Sequence, residues 1–487
     1  MPIGKRGKKN SKNSKTKYQQ VLPTTHFHLF EAILSLTIFV ALNTIIYGII
    51  HPKFSLVSED YVHLARAYHN TFFGTEGVKL TFFQKESIYN YSWLFQKIIS
   101  LSMFVSHSKI FMIYFYIFTK ILICSSLFFL FKFPISRAPV LLIPFTLFKV
   151  SLVLILSLAP PPRIISIVFF SILIKLLVDI NSRGFDRKHI LMFFLIFLCW
   201  RNLHIMFPIG AVLLPLTFFV LLKRKEMLYP LLIAGAVAII PFPYSFIASF
   251  LEISGVIMKE SLTPYQAESA VRLIKEGLGV FFHYLIIPGI YLILTTPIFI
   301  VLRYSLFIKR LMLILLGVLA FGFMFISIRI FEFLPTLLSF ESRTIRNSPY
   351  LVVLFLFSLY IFGINIYNRY QENSELIVAV DKLREGYVFN YDCAFVGSFI
   401  EFFASHDTRP IVDGFTIWND NSGYEFISIA PSSTEQLDFL LNMGVSQIFL
   451  CQGIKTINPP AKYSATFAGN NFTILDLEKL KELLGRN

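Results

Sequence analysis

Of the chain's 487 residues, 55% are hydrophobic and 15% charged, and the mean hydropathy is +0.66. A soluble domain of this size carries more charge and could not bury so much apolar surface in one core, which excludes an ordinary soluble enzyme. The net charge of +15 follows from basic spacers between apolar runs and calls for no nucleic-acid partner.

Residues 1–27 carry Lys5, Arg6, Lys8, Lys9, Lys12, Lys15 and Lys17 with no acidic residue. This is the composition of a disordered cytoplasmic tail that touches anionic lipid. The apolar run that follows is too long for a cleavable signal peptide and lacks a small-residue cleavage site. Runs of bilayer-spanning length are predicted at 28–50, 109–131, 138–158, 163–180, 189–201, 204–222, 227–250, 281–302, 310–330 and 349–367. A shorter run at 93–106 reads as a half-span or an interfacial helix. Trp200 and His204 fall at a weak junction where two spans meet, so the count is about ten or eleven. The spacers Lys132–Arg137, Arg183–Lys188, Lys223–Lys225 and Arg303–Arg310 are basic and alternate with poorly charged ones. The N-terminus is therefore expected in the cytoplasm, and loops 51–92, 251–280 and 331–348 on the other face.

Residues 28–370 thus form a transmembrane domain, and past 370 the composition changes. Residues 371–487 are more acidic than basic and alternate in short runs. Strands are predicted at Tyr387–Tyr391, Arg409–Val412, Gln447–Cys451 and Phe472–Leu475, and helices at Thr434–Met443 and Leu477–Leu484. The fold class is an α-helical polytopic membrane protein with a small C-terminal soluble α/β domain. Ten spans would leave that domain cytoplasmic and eleven would put it outside. The lack of basic bias after residue 370 favours outside. Cys124 and Cys199 sit in spans, while Cys393 and Cys451 lie far apart in the soluble domain with no metal-ligand spacing. A Cys393–Cys451 bridge is open to the chain if that domain is exported. There is no P-loop, dinucleotide fingerprint, HExxH or nucleophile elbow. No internal repeat is evident, which counts against an inverted-repeat transporter.

The chemistry-bearing segment begins at Glu59–Asp60, just after the first apolar run. Ser58-Glu-Asp-Tyr-Val-His-Leu-Ala-Arg-Ala-Tyr-His69 sets Glu59, His63 and Arg66 at helical spacing, with Asp60 at the membrane-facing start. A carboxylate there is favoured by the helix macrodipole and suits a general base or a cation ligand. Capping of the helix by Ser58, Glu59 or Asp60 accounts for the same residues, and the two roles are compatible. Further along come Asn90-Tyr-Ser-Trp-Leu-Phe-Gln96, Pro160-Pro-Pro-Arg163, Trp200-Arg-Asn-Leu-His204, Arg343 and Arg346-Asn347. Each arginine taken singly fits interfacial snorkelling. Together they put cations at extracytoplasmic span ends, where a lipid-linked phosphate would need neutralising. Lys120, Lys149, Lys175 and Asp179 fall within apolar runs, but near the inner interface or within snorkelling reach. Ionisable residues therefore gather at span ends, which favours a surface site over a conduit.

In this order the motifs resemble the GT-C superfamily of integral membrane glycosyltransferases, which includes protein O-mannosyltransferases and aminoarabinose transferases. The likeness is nearest to bacterial members with a C-terminal soluble domain. Asp60-Tyr-Val-His-Leu64 matches their Asp-x-x-His-Leu start of the first external loop, and Asn90-Tyr-Ser-Trp-Leu94 matches its end. Trp200–His204 matches a Trp-x-Asn-x-His segment and Arg346-Asn347 an Arg-Asn before the last span. Val396-Gly-Ser-Phe-Ile400 and Arg409-Pro-Ile-Val-Asp-Gly414 echo a theme of the soluble domain. Ser92 and Phe415 replace a Glu and an Arg of the family pattern, and Pro162-Arg163 stands for its Arg-Pro.

The resemblance implies a glycosyltransferase of the bacterial inner membrane. It would move a sugar from a polyprenyl-phosphate donor to a glycan, lipid or protein acceptor on the extracytoplasmic face. It implies Asp60 as general base or metal-linked carboxylate, with Glu59 in reserve and a divalent cation (Mg or Mn) as the cofactor. Arg163, Arg201, Arg343 and Arg346 would hold the donor phosphate, and His63, Asn202 and His204 would orient sugar or acceptor. Asp413 reads as a structural turn residue. The alternative is a non-enzymatic transporter, or a protein that binds lipid-linked sugar during polysaccharide assembly.

Overall fold

The computed structural model describes residues 24–69, 92–131, 142–204, 207–240, 350–391, 394–405, 407–411, 434–451 and 472–484, with short pieces between 302 and 345 and at 465 and 467–469. The chain is a membrane protein. Four described helices are long and apolar enough to cross a bilayer, over Leu29–Ile49, Lys109–Leu130, Pro161–Arg183 and Leu351–Val380. Shorter apolar helices cover Trp93–Val105, Ile143–Leu156 and Gly210–Leu222. The expected spans at 281–302 and 310–330 fall almost wholly outside the described residues.

The helices in order are α1 (Thr24–Ile49), α2 (Ser58–His69), α3 (Trp93–Ser100), α4 (Ser102–Val105), α5 (Lys109–Leu130) and α6 (Leu142–Leu156). They continue as α7 (Pro161–Arg183), α8 (Arg187–Leu203), α9 (Phe207–Leu222), α10 (Tyr229–Ile239) and α11 (Tyr350–Val380). Local chemistry sets their ends. Pro161 opens α7, where a missing N–H costs nothing, and Gly184 closes it at φ +88°. Asp186 and His189 form a reciprocal capping box at the start of α8, each side chain accepting the other's backbone N–H at 3.0 and 3.1 Å. His204 ends α8 in extended conformation, and α9 restarts at Phe207. The weak junction read at Trp200–His204 is thus a helix break.

Two short strands correct the hydropathy topology. β1 (Leu302–Arg303) pairs antiparallel with β2 (Thr344–Ile345), which sets Arg303 opposite Thr344. The hydropathy pattern assigns the Arg303 spacer and loop 331–348 to opposite faces. Ladder partners lie only about 5 Å apart, so these two points share one level.

The C-terminal region is a five-stranded mixed sheet. It contains β3 (Gly386–Tyr391), β4 (Thr408–Pro410), β5 (Val445–Cys451), β6 (Phe467–Ala468) and β7 (Phe472–Asp476), in the order β4-β3-β5-β7-β6. β3 runs parallel to β4 and β5, while β7 is antiparallel to β5 and β6. Successive side chains point to opposite faces. Val388, Phe449 and Ile474 enter one core with α12 (Ala394–Phe403) and the end of α11, while Phe389, Ile448 and Leu475 enter a second with α13 (Thr434–Asn442) and α14 (Leu477–Leu484). The predicted strands and both predicted helices lie within or beside these elements; α12 was not foreseen.

α11 runs unbroken from the membrane through residue 371 to Val380, so the boundary expected at 371 falls inside a helix. The first-loop helix α2 packs on α12 of the sheet region. Tyr61 of α2 meets the Phe399, Phe402 and Phe403 rings at centroid distances of 4.3, 5.8 and 5.2 Å. His69 Nε2 reaches the Glu401 carbonyl at 2.9 Å. The sheet region therefore stands on the same side of the helical bundle as the first loop, which hydropathy alone left open.

Candidate functional site

Asp60 is the third residue of α2, and its side chain is fully buried. Oδ2 accepts the backbone N–H of Val57, the residue before the helix, at 3.0 Å. This is the back-reaching half of a capping box. The other partners come from α5. Tyr116 donates its hydroxyl to Oδ1 at 2.6 Å, and the Lys120 ammonium lies 3.5 Å from Oδ2. Capping thus accounts for one of these contacts and leaves the rest to other chemistry.

Lys120 lies eleven residues into α5, about 16 Å along its axis from Lys109. At the α5 start, Lys109 sits over the Tyr68 and Phe402 rings at 5.2 and 5.9 Å, at the level of α12. The carboxylate is consequently sunk into the mouth of the bundle, below the sheet region. Tyr61, next in sequence, is buried as well. Burial first and the Asp60 charge second hold its phenol well above the ordinary tyrosine range. It stays protonated and donates to the Lys53 carbonyl in the preceding turn.

The other expected site residues are dispersed among neighbouring contacts. Glu59 falls in the first turn of α2, beside Asp60. His63 is buried with its ring edge-on to Phe95 at 5.6 Å. His204 Nδ1 meets the Ser166 hydroxyl at 2.7 Å, and Ser166 also accepts the Trp200 indole N–H at 2.8 Å. Arg201 is buried and donates to the Val237 carbonyl of α10. This is the opposite of snorkelling. Asn202 is half-buried and spends an amide N–H on the Leu198 carbonyl of its own helix, 2.8 Å away. Arg163 is half-buried in the first turn of α7. Arg343, Arg346, Asp413 and Cys393 lie outside the described residues.

Two expectations are corrected. Lys120 and Lys149 do not snorkel: they are 4% and 1% exposed, and both are ion-paired inside the bundle. Lys149 of α6 meets Glu31 of α1 at 2.9 Å, and Ser35 donates to the second Glu31 oxygen at 3.1 Å. Glu31, Tyr116 and Ser166 escaped the sequence reading. The one available signal was an acidic residue and two lysines inside apolar runs, since a charge in a span is held only by a partner.

A divalent cation fits poorly at Asp60. Such an ion needs several oxygen ligands, whereas this carboxylate already accepts two hydrogen bonds and has a lysine against it. Among the described residues, no three His, Cys, Asp or Glu side chains gather as a metal site. Cys451, at the end of β5, is disulfide-bonded, while Cys124 and Cys199 are free thiols. No protein-family model matches this chain, and no curated protein matches it.

Proposed function

We propose that the chain is a membrane glycosyltransferase of the GT-C type, taking a sugar from a polyprenyl-phosphate donor, with Asp60 as its base. The observation that carries this reading is a carboxylate on the first-loop helix, buried at the mouth of the bundle with the Lys120 ammonium 3.5 Å away. In the proposed reaction Asp60 takes the proton of an acceptor hydroxyl. The acceptor oxygen forms its bond to the anomeric carbon as the carbon–oxygen bond to the lipid phosphate breaks. The phosphate leaves with the electron pair, and the configuration inverts. Lys120 supplies positive charge for that leaving group. Asp60 is fully enclosed here, so an acceptor gains it only when the side chains above it part.

A disulfide at Cys451 supports placing the sheet region, and with it α2, in an oxidising compartment. That orientation leaves the basic N-terminal tail in the cytoplasm, in keeping with the positive-inside rule.

The transporter alternative has one observation on its side. The Asp60–Lys120 and Glu31–Lys149 pairs put ionisable groups inside the bundle, as a conduit would. Reconstituted protein with a panel of polyprenyl-phosphate sugars separates the two. Sugar transfer by the wild type that is lost in Asp60→Asn supports the enzyme. Unaltered transfer in Asp60→Asn removes the base, and solute uptake without any transfer favours the alternative.

A further inference from the structure

We propose that Asn373 of α11 is a positioning residue for the Asp60 carboxylate, acting through a single peptide plane. Asn373 is buried, and its side-chain amide nitrogen donates to the carbonyls of Phe54 and Leu56 at 3.0 and 2.7 Å. The Leu56 carbonyl and the Val57 N–H belong to the same peptide group. That N–H is the one that bonds Asp60 Oδ2 at 3.0 Å. A donor on the carbonyl side polarises the amide and makes its N–H a better donor, so the three groups form one relay. It also fixes the plane of the peptide, and with it the oxygen that Asp60 presents on its other side to Tyr116.

The surroundings make this relay stiff. Ser55 bonds back to the Pro52 carbonyl through both its N–H and its hydroxyl, and Tyr61 ties down the Lys53 carbonyl. Four residues before Asn373, on the same face of α11, stands Arg369, which donates to the Leu158 carbonyl at 3.4 Å. Two residues after it, Glu375 accepts the backbone N–H of Phe472 at 3.3 Å and so joins α11 to β7. One stretch of α11 thus connects the sheet region to the turn that aims Asp60. The sheet region becomes part of the site's support, not an appendage. The consequence for turnover rests on Asp60 being the reacting carboxylate; the positioning itself does not.

The test is infrared spectroscopy of the full chain in lipid nanodiscs without substrate. Subtracting the Asp60→Asn spectrum isolates the Asp60 carboxylate bands. Repeating the subtraction in an Asn373→Leu background is expected to shift those bands, and Asn373→Gln, which keeps the amide donor, to move them back toward the wild type. Asn373→Ala serves the same purpose if Asn373→Leu does not fold. Residue 373 as mere helix packing predicts bands that stay in place in Asn373→Leu or Asn373→Ala, and that result overturns the proposal. Where sugar transfer is measurable, kcat falls about tenfold in Asn373→Ala with the donor KM unchanged. A band shift in a protein that transfers no sugar would leave the positioning standing and reject the enzymatic reading alone.

Discussion

The Lys120 ammonium lies 3.5 Å from Asp60 Oδ2, with the two side chains 5% and 0% exposed. Each charge is tolerable in that setting because of the other. Removing Lys120 as Lys120→Met strands a buried carboxylate and should cost about 3–5 kcal/mol. The double variant Asp60→Asn with Lys120→Met removes both charges and should be more stable than Lys120→Met alone. Thermal unfolding in mild detergent measures both. Equal melting temperatures for Lys120→Met and the wild type would mean the pair is not formed.

Glu31 and Lys149 make the same kind of pair at the other end of α1, about 27 Å of helix from Ile49. Here the expected rescue is by exchange. Glu31→Lys and Lys149→Glu each lower the yield of folded protein, and the two combined restore it. Size-exclusion profiles of the solubilised variants report the outcome. Failure of the exchange to recover any folded material would count against a direct ion pair.

Gly210 carries the Trp200 indole directly against its backbone. A Cβ added there would stand 2.0 Å from the ring, inside any allowed contact. Gly210→Ala should therefore destabilise the protein by roughly 1–3 kcal/mol or force the ring off its Ser166 bond. Trp200 fluorescence, read with the other two tryptophans replaced by phenylalanine, would shift in the second case. A variant with wild-type melting and emission would show that α8 and α9 do not meet in this way.

The capping box of α8 gives a pH dependence with a definite sign. The backbone N–H of His189 bonds the Asp186 carboxylate and, as the largest cause, lowers its pKa from 3.8. A depressed carboxyl contributes stability above its unfolded value and loses it as pH falls through the folded one. The wild type should thus lose its advantage over Asp186→Asn on acidification from pH 5 to below 3.8. Parallel unfolding curves at both ends of that range provide the check, and an unchanging difference would refute it.

Much of the architecture was legible because its causes are local. The length of an apolar run sets whether it spans, so α1, α5 and α7 lie close to where hydropathy put them. Alternation located β3, β5 and β7, and Ser58 to His69 reads directly as a helix. Asp60 stood out for a local reason as well, as an acid at a helix start beside the membrane. The distant groups that meet it come from positions 116 and 120, and the one that holds its turn from 373, far away along the chain and unremarkable in their own segments. Lys120 in an apolar run is equally consistent with a snorkelling stem or a buried charge. Only the neighbouring helix decides which.

The sequence by itself determined that this is a membrane protein, where its longest helices run, and that its C-terminal part alternates strands with helices. Those properties depend on residues a few positions apart, through hydrophobic periodicity and capping. The tertiary structure alone decided that the sheet region shares a side with the first loop, because α2 rests on α12. It also decided that Lys120 and Lys149 are buried, and that Asn373 holds the peptide that holds Asp60. These outcomes depend on which distant segments meet. Burial turns each such meeting into a requirement for a partner, and linear patterning does not name that partner.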